Sequence, residues 1–270
     1  MIQAARHRYP MFDRRQKVMD GGLLPFCMMS DYYRPAMTTG SEKEDDRAFG
    51  FDRGLRSASM TFDRSLLTRA GRLGAATLHE SAGRIGALPA RIKPVASEMR
   101  LAGPAFTVQV PQGDNLWLHR ALYAARPGDV LVVSTSGGIE WGYWGDILNA
   151  AAMQCGLGGL VIDGGVRDTA NLAEQAFPVF SNGACIRGTI KGFETPAWMA
   201  LPIRIGDVVV EPGDLIVGDR DGVVAIPTDS VAAVLDKAQE READEAAKIA
   251  RIAAGERTID IYGFGAGRAA

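Results

Sequence analysis

Three short loops carry the residue types that metal-assisted chemistry on a small anion requires. They are residues 113–115, 144–148 and 163–168, and each places glycine beside Asp or Asn just before a segment with helical spacing. Helix N-termini expose unpaired N–H groups that attract anions. Asp carboxylates suit Mg²⁺, which often uses only one or two carboxylates and keeps several waters. The loops therefore predict a site for an anionic small molecule and a divalent cation.

The side chains in these loops make the predicted chemistry more specific. Arg167 offers a planar fork for a carboxylate or an enolate oxygen. Asp146 and Asp168 are candidate metal ligands, and Asn115 can donate to a carbonyl. Such a site would bind a 2-oxo acid through its carboxylate and keto oxygen, with the metal as Lewis acid. Each residue alone also has a structural explanation as a helix cap, a surface ion pair or a turn, so spacing alone indicates only metal-assisted anion chemistry.

Other catalytic patterns are missing from the sequence. It contains no GxxxxGK[ST] and no G-x-S-x-G, and its glycine-rich residues 156–159 precede a predicted strand instead of following one. A Schiff-base mechanism needs a desolvated lysine. Only Lys93 and Lys191 lie outside the N-terminal segment and the terminal helix, and neither is in the three loops. Cys155 and Cys185 are interpreted as core residues or inert thiols.

Composition excludes several partner classes. The net charge is −2 and the sequence pI is about 6.0, which gives no electrostatic basis for binding nucleic acid or an anionic membrane. The mean hydropathy is −0.02, and no apolar run approaches the roughly 18 residues of a membrane span. The three cysteines are odd in number and widely spaced, which predicts a reducing, cytoplasmic environment.

Alternating strand and helix patterns predict one main α/β domain over residues 61–262. Helices are predicted at 66–83, 115–125, 145–155, 169–175 and 229–254. Strands are predicted at 92–95, 105–110, 129–134, 159–163, 187–190, 203–205, 207–211, 215–218 and 222–226.

Residues 1–60 have a different composition. They hold seven of the ten methionines and show no sustained apolar period. We expect an N-terminal extension, which is either a disordered tail or an arm that docks on a neighbouring subunit. A start at Met60 is a third interpretation. Residues 263–270 are expected to form a C-terminal tail, and none of the predicted chemistry lies in either segment.

The sequence resembles the 4-hydroxy-4-methyl-2-oxoglutarate and 4-carboxy-4-hydroxy-2-oxoadipate aldolases. These belong to the superfamily of the regulator of ribonuclease activity A. The resemblance covers residues 61–262 with order and spacing kept. The matching stretches are residues 75–84, 113–115, 145–148, 161–168, 212–214, 219–224, 238–245 and 261–262.

The resemblance implies a fold and an assembly. The expected fold is an α/β/α sandwich related to swivelling phosphohistidine domains. The expected assembly is a homotrimer or homohexamer with active sites between subunits.

The resemblance also implies roles for residues of the three loops and the terminal helix. Arg167 would bind the pyruvyl oxygens and the developing enolate. Asp168 would hold Mg²⁺ or Mn²⁺ largely through waters, and Asp146 would position one of those waters. Glu245 would reach the metal waters of a neighbouring subunit, with Glu242 as the alternative. The residues expected to hold the pyruvate carboxylate are Gly145, Ile147, Leu148 and Asn115.

The activity implied is that of a class II pyruvate aldolase, which depends on a divalent metal. It would cleave a 4-hydroxy-2-oxo diacid to pyruvate and a second keto acid, and would decarboxylate oxaloacetate as a side activity. Two alternatives stay open, a non-catalytic binding protein like the ribonuclease regulator and a metal-dependent lyase for another oxo acid. Tyr143 and Trp144 either shape the pocket or pack, and Arg187 either binds a second substrate carboxylate or is structural.

Overall fold

The computed structural model describes residues 62–192 and 195–265, and these residues form seven α-helices and twelve strands. The expected N-terminal extension, residues 1–60, lies outside the described residues, as does most of the expected C-terminal tail. The helices are α1 (Arg64–Leu73), α2 (Ala75–Ser81), α3 (Leu116–Ala124), α4 (Asp146–Gln154), α5 (Thr169–Glu174), α6 (Val231–Ala253) and α7 (Thr258–Ile261). The strands are β1 (Lys93–Pro94), β2 (Leu101–Gln109), β3 (Val130–Ser134), β4 (Gly142–Trp144), β5 (Gly159–Ile162), β6 (Gly165–Val166), β7 (Val179–Ser181), β8 (Trp198–Met199), β9 (Ile203–Ile205), β10 (Val208–Val210), β11 (Leu215–Asp219) and β12 (Gly222–Ile226).

The helix predicted at 66–83 is two helices, because Gly74 interrupts it. Gly74 has φ +76°, a left-handed value that ends α1 and that glycine adopts without steric cost. Asp63 caps α1 by accepting a hydrogen bond from the Leu66 amide at 2.7 Å. The carboxylate of Asp219 accepts from the Ala75 amide at 2.8 Å and so caps α2 from a distant strand.

The main sheet has a parallel centre and antiparallel edges. Its strand order is β1-β7-β5-β3-β2-β11-β12, with β8 paired to β2. The strands β2, β3, β5 and β7 run parallel to one another. Every residue of β3 and β5 is buried, as expected for parallel strands covered on both faces. Helices α3, α4 and α5 cover one face of this centre, through residues such as Leu118, Leu148 and Leu172.

The sheet curls until its two ends approach each other. Ile216 of β11 and Val223 of β12 share a buried cluster with Val132 of β3, while the opposite face of β11 and β12 packs on α1, α2 and α6. Residues 86–88 pair with the outer edge of β12, and the Ala225 amide donates to the Gly86 carbonyl at 2.8 Å. Lys93 of β1 donates to the Asp221 carbonyl at the turn between β11 and β12.

The predicted α/β class is confirmed, and the structure adds that the sheet is nearly closed. The inner face of the sheet is covered by β9, β10, residues 88–92 and the curled edge formed by β11 and β12. A sandwich would have a third layer of helices or strands at that face. The resemblance to swivelling phosphohistidine domains stays a prediction. Among the described residues, no helix combines the length and apolarity that crossing a membrane requires.

The strand predicted at 187–190 is wrong. In its place the chain makes isolated backbone contacts, in which the Gly142 amide donates to the Arg187 carbonyl and the Ile190 amide donates to the Gly113 carbonyl, each at 2.8 Å. The short strands β4, β6, β7 and β8 were not predicted, whereas the equally short β1, β9 and β10 lie in predicted strands.

Substituting Gly86 tests how the sheet closes. A Cβ at Gly86 would lie 2.0 Å from the Ala225 carbonyl oxygen, whereas a Cβ at Gly83 would have no atom within 4 Å, and both residues have positive φ. We expect Gly83→Ala to lower the free energy of unfolding by about 1–2 kcal/mol through backbone strain. Gly86→Ala should lower it by a further 1–3 kcal/mol or so through the clash. Urea denaturation measures both values, and equal losses would contradict the close approach at Gly86.

Candidate functional site

Two short parallel strands bring two of the predicted loops together. Strands β4 and β6 pair in parallel, with Trp144 opposite Val166. The pairing continues beyond β6, where the Arg167 amide donates to the Trp144 carbonyl at 2.8 Å. Since the carboxyl ends of parallel strands meet at one edge, Gly145 and Asp146 lie beside Arg167 and Asp168.

The backbone at Asp168 makes a sharp turn into α5. Asp168 has φ +57° and ψ +33°, in the left-handed region that Asp tolerates better than most residues. Its carbonyl accepts from the Leu172 amide at 3.0 Å, which begins the helix. The turn leaves the side chains of Arg167 and Asp168 45% and 42% exposed, with Arg167 Nε 3.8 Å from Asp168 Oδ2.

The two Asp carboxylates are held by different donors. Asp168 Oδ2 accepts from the backbone amide of Asp146 at 3.2 Å. Asp146 Oδ2 accepts from Asn171 Nδ2 at 2.5 Å. Asp146 Oδ1 is buried and has no hydrogen-bond partner among the described residues. An unsatisfied buried acceptor costs about 1–3 kcal/mol, and Asn115 Oδ1 is a second such acceptor among the described residues.

Gly145 provides the space for this arrangement. Its φ of −164° is extended backbone that any residue adopts. A Cβ there would lie 2.4 Å from Asp168 Oδ2 and 3.1 Å from Arg167 Nε. The glycine is therefore required by the close approach of these two side chains and not by its backbone conformation.

The first turn of α4 offers free backbone donors to the site. The Asn149 amide is the first to bond within the helix, to the Gly145 carbonyl at 3.0 Å, and Gly145 at the N-cap position has no side chain to cap the helix. The Asp146 amide is used by Asp168, which leaves the amides of Ile147 and Leu148 without an intrahelical acceptor. Two adjacent N–H groups at a helix N-terminus suit a carboxylate.

A cleft of about 310 Å³ lies beside Arg167 and Asp168. Its lining consists of Val166, Arg167, Asp168, Thr169, Ala184, Cys185 and Ile186. Cys185, interpreted from the sequence as a core residue or an inert thiol, is half-buried in the wall of this cleft, and its amide donates to the Val166 carbonyl at 2.7 Å. Arg187, the residue after Ile186, is not part of the cleft lining. The Arg187 guanidinium lies over the Trp141 ring, 5.2 Å from its centroid, so its predicted role toward a second carboxylate stays a prediction.

The first predicted loop, residues 113–115, forms hydrogen bonds with Tyr143 of β4. Asn115 Nδ2 donates to the Tyr143 carbonyl at 2.9 Å, and the Gly113 amide donates to the Tyr143 hydroxyl at 2.8 Å. Burial raises the pKa of Tyr143, so its hydroxyl stays protonated and donates to the Gly138 carbonyl. Asn115 is buried, and its Oδ1 has no hydrogen-bond partner among the described residues.

Tyr143 and Trp144 therefore pack and do not line the cleft. Both are fully buried, and Trp144 stacks on Phe177 with 6.2 Å between ring centroids. Trp144 Nε1 donates to Asn149 Oδ1 at 2.9 Å. These contacts fix β4, and with it the start of α4.

The carboxylates predicted on the terminal helix do not join the site within one chain. Glu245 pairs with Arg241 on its own helix at 2.9 Å. Glu242 lines a separate groove of about 780 Å³ between α1 and α6. Across residues 62–192 and 195–265, no three His, Cys, Asp or Glu side chains come close enough to hold a metal ion. One chain therefore offers a cation two carboxylates, from Asp146 and Asp168.

Sequence reasoning missed Asn171, which holds the Asp146 carboxylate. It lies three residues after Asp168, so helical spacing would have placed the two on one face of α5. No local pattern indicates that Asn171 reaches across to α4, because that contact depends on the pairing of β4 with β6.

Comparison with known proteins identifies two kinds of relative. A family model described as "RraA-like: Aldolase/RraA" matches residues 63–225. A Halalkalibacterium halodurans protein named "Putative 4-hydroxy-4-methyl-2-oxoglutarate aldolase" is 39% identical over 176 residues, which are 65% of this chain and 82% of that protein. A "4-hydroxy-4-methyl-2-oxoglutarate aldolase" from Thermus thermophilus is 30% identical over 141 residues, covering 52% of this chain and 84% of that protein. The solved structure of Streptomyces coelicolor RraAS2, described as an unusual member of the RNase ES inhibitor RraA protein family, is 28% identical with a TM-score of 0.61, covering 70% of this chain and 97% of that chain.

Substituting Gly145 tests the role of its missing side chain. We expect Gly145→Ala to push the Asp168 carboxylate away from the Asp146 amide, because the new Cβ would lie 2.4 Å from Asp168 Oδ2. A crystal structure of the variant should show that oxygen more than about 3.5 Å from the amide nitrogen, where the hydrogen bond is lost. The matched control is Gly188→Ala, whose Cβ would meet no atom within 4 Å. An unmoved Asp168 in Gly145→Ala would contradict the steric account.

Proposed function

The chain belongs to the RraA-like family described as Aldolase/RraA, and we propose that it is a divalent-metal-dependent carbon–carbon lyase. Its proposed reaction cleaves a 4-hydroxy-2-oxo diacid to pyruvate and a second keto acid, with oxaloacetate decarboxylation as a side activity. The observation that carries the proposal is the buried, unpartnered Oδ1 of Asp146 beside Asp168 and Arg167. Relatives named as aldolases support the reaction class.

The residues present fit a divalent cation. Asp168 and Asp146 would hold Mg²⁺ or Mn²⁺, together with waters, through hard oxygen atoms that these ions prefer. When bound, the cation would supply Lewis acidity to the 2-oxo group. The unpartnered Oδ1 of Asp146 and the close approach of Asp168 that Gly145 permits support this fit.

The chain's own groups would bind and orient the 2-oxo acid. The amides of Ile147 and Leu148 face the anion at the start of α4, with the Asn115 amide as a further donor. Arg167 is planar, permanently charged and half-exposed beside the cleft. Its fork would bind the oxygen on which negative charge develops, the type of interaction that lowers the barrier most.

Cleavage requires a proton to leave the 4-hydroxyl group while the C3–C4 bond breaks. The bonding electrons pass into the 2-oxo group, giving an enolate, and protonation of C3 then gives pyruvate. Oxaloacetate losing carbon dioxide would give the same enolate. Asp146 Oδ1 is the acceptor available to hold a water that takes up the proton.

The third carboxylate is proposed to come from a neighbouring copy of the chain. Asp146 and Asp168 would leave a cation with few protein ligands, while on α6 Glu242 is exposed and Glu245 is half-buried. Both glutamates remain candidates, and both lie outside the residues that the family model matches. The proposed assembly is a homotrimer or homohexamer in the cytoplasm, with sites between subunits.

A second candidate function is regulation by protein binding. It rests on the similarity to the S. coelicolor structure, which is described as a member of an RNase inhibitor family. A binding surface has no need of an unpartnered buried carboxylate oxygen or of a glycine that admits two charged side chains. These features favour the lyase, or a lyase for another oxo acid that uses the same site.

Removing Arg167 or Asp168 tests the proposed function. We expect Arg167→Ala and Asp168→Ala each to lower kcat for pyruvate release at least about 100-fold, the scale for losing one group that stabilises developing charge. Because Arg167 is half-exposed, Arg167→Ala should change the free energy of unfolding by only about 0.5 kcal/mol. Asp168→Ala should lower it by about 1–2 kcal/mol, because Ala tolerates the left-handed backbone of this position less well than Asp. Chelation of divalent cations should abolish wild-type activity, and added Mg²⁺ or Mn²⁺ should restore it.

The controls use an exposed ion pair at the start of α7. Arg257, just before the helix, has its Nε 2.7 Å from Oδ2 of Asp260 within it. Arg257→Ala and Asp260→Ala should keep wild-type turnover. Near-normal turnover in Arg167→Ala, or wild-type activity that chelation does not affect, would refute the lyase proposal. Tight binding to a ribonuclease without metal-dependent pyruvate release would support the regulator instead.

A further inference from the structure

Asn171 links the two helices that carry the candidate metal ligands. It lies on the first turn of α5, three residues after Asp168, and its side-chain amide reaches across to Asp146 on α4. The bond from Nδ2 to Asp146 Oδ2 is 2.5 Å long. None of the steps derived above uses this residue.

The hydrogen bond from Asn171 determines which oxygen of the Asp146 carboxylate is left without a partner. A carboxylate turns about its Cβ–Cγ bond, and a donor held on Oδ2 fixes that rotation. The other oxygen, Oδ1, is then the one that is buried without a partner among the described residues. A donor that instead bonded both oxygens would leave no acceptor for a cation or its waters.

The N-terminal ends of α4 and α5 are joined by two hydrogen bonds. Helix α5 supplies the amide that holds Asp146, while the Asp146 backbone amide on α4 holds the Asp168 carboxylate at 3.2 Å. Each acidic side chain is thus positioned by the neighbouring helix. Removing Asn171 would leave Asp168 held but would free Asp146 to rotate.

The neutral charge of Asn171 also matters. Lys or Arg at this position would form an ion pair with Asp146 and compete with a cation. Within the described residues the cationic partner near these acids is Arg167, which lies 3.8 Å from Asp168. An amide orients Asp146 while leaving its negative charge available.

The packing of α5 does not depend on Asn171. Leu172 is fully buried beneath this helix, and Asn149 donates to Gln175 just beyond its end at 2.5 Å. Asn171 itself is exposed. A role limited to holding the helix in place would therefore predict little effect from its loss.

We propose that Asn171 is a positioning residue for the divalent cation, which sets the orientation of Asp146 and thereby the affinity of the site. The inference rests on the proposed metal site. Residues that orient metal ligands typically change affinity 10- to 100-fold when they are removed.

The test is a titration of the full-length chain with Mn²⁺, followed by electron paramagnetic resonance of the free ion. The variants are Asn171→Ala and Asn171→Leu, which removes the donor but keeps the size of the side chain. The control is Glu174→Ala, an exposed position on the same helix. We expect both Asn171 variants to raise the Mn²⁺ dissociation constant at least about 10-fold, with Glu174→Ala unchanged. At saturating Mn²⁺ their kcat should return towards that of the wild type.

The outcomes separate this inference from the proposed function. If the wild type binds Mn²⁺ and both Asn171 variants bind it equally well, the positioning role is refuted while the metal site stands. If the wild type does not bind millimolar Mn²⁺, the metal site itself is refuted. Urea denaturation of the same variants shows whether they remain folded. If both variants are unfolded, Asn171 is required for the stability of the fold and the inference is overturned.

Discussion

The candidate site depends on the parallel pairing of two very short strands. Strands β4 and β6 together contain five residues, and their pairing is extended by the bond from the Arg167 amide to the Trp144 carbonyl. This pairing places the starts of α4 and α5 side by side. Without it, Asp146 and Asp168 would lie on separate loops, and the proposed site would not form.

The rest of the fold holds this pairing in place. The buried parallel centre of the sheet fixes where the two loops emerge, and α3, α4 and α5 cover it on one face. Tyr143 and Trp144 anchor β4 through buried hydrogen bonds. Because the charged side chains of the site are half-exposed while its supports are buried, the residues that do chemistry are largely separate from those that determine stability.

Much of the fold was predictable from the sequence, because long elements show periodicity. The central strands β3 and β5 and helices α3 to α6 follow their apolar patterns. The sequence predicted that the two acidic loops contribute to one site, but not the pairing of β4 with β6 that brings them together. The break at Gly74 was missed, since a single glycine is tolerated in many helices and only its φ reveals the turn. The role of Asn171 and the place of Cys185 in the cleft wall depend on contacts between distant segments, which local patterns do not contain.

We propose that this site cleaves 2-oxo acids with a divalent metal. The most direct measurement is a coupled assay of pyruvate release by the purified chain, across a panel of 4-hydroxy-2-oxo diacids and oxaloacetate, with and without Mg²⁺. The account predicts Mg²⁺-dependent pyruvate release from at least one diacid, and from oxaloacetate as a side reaction. No pyruvate from any substrate, or release at the same rate after the metal is removed, would contradict it.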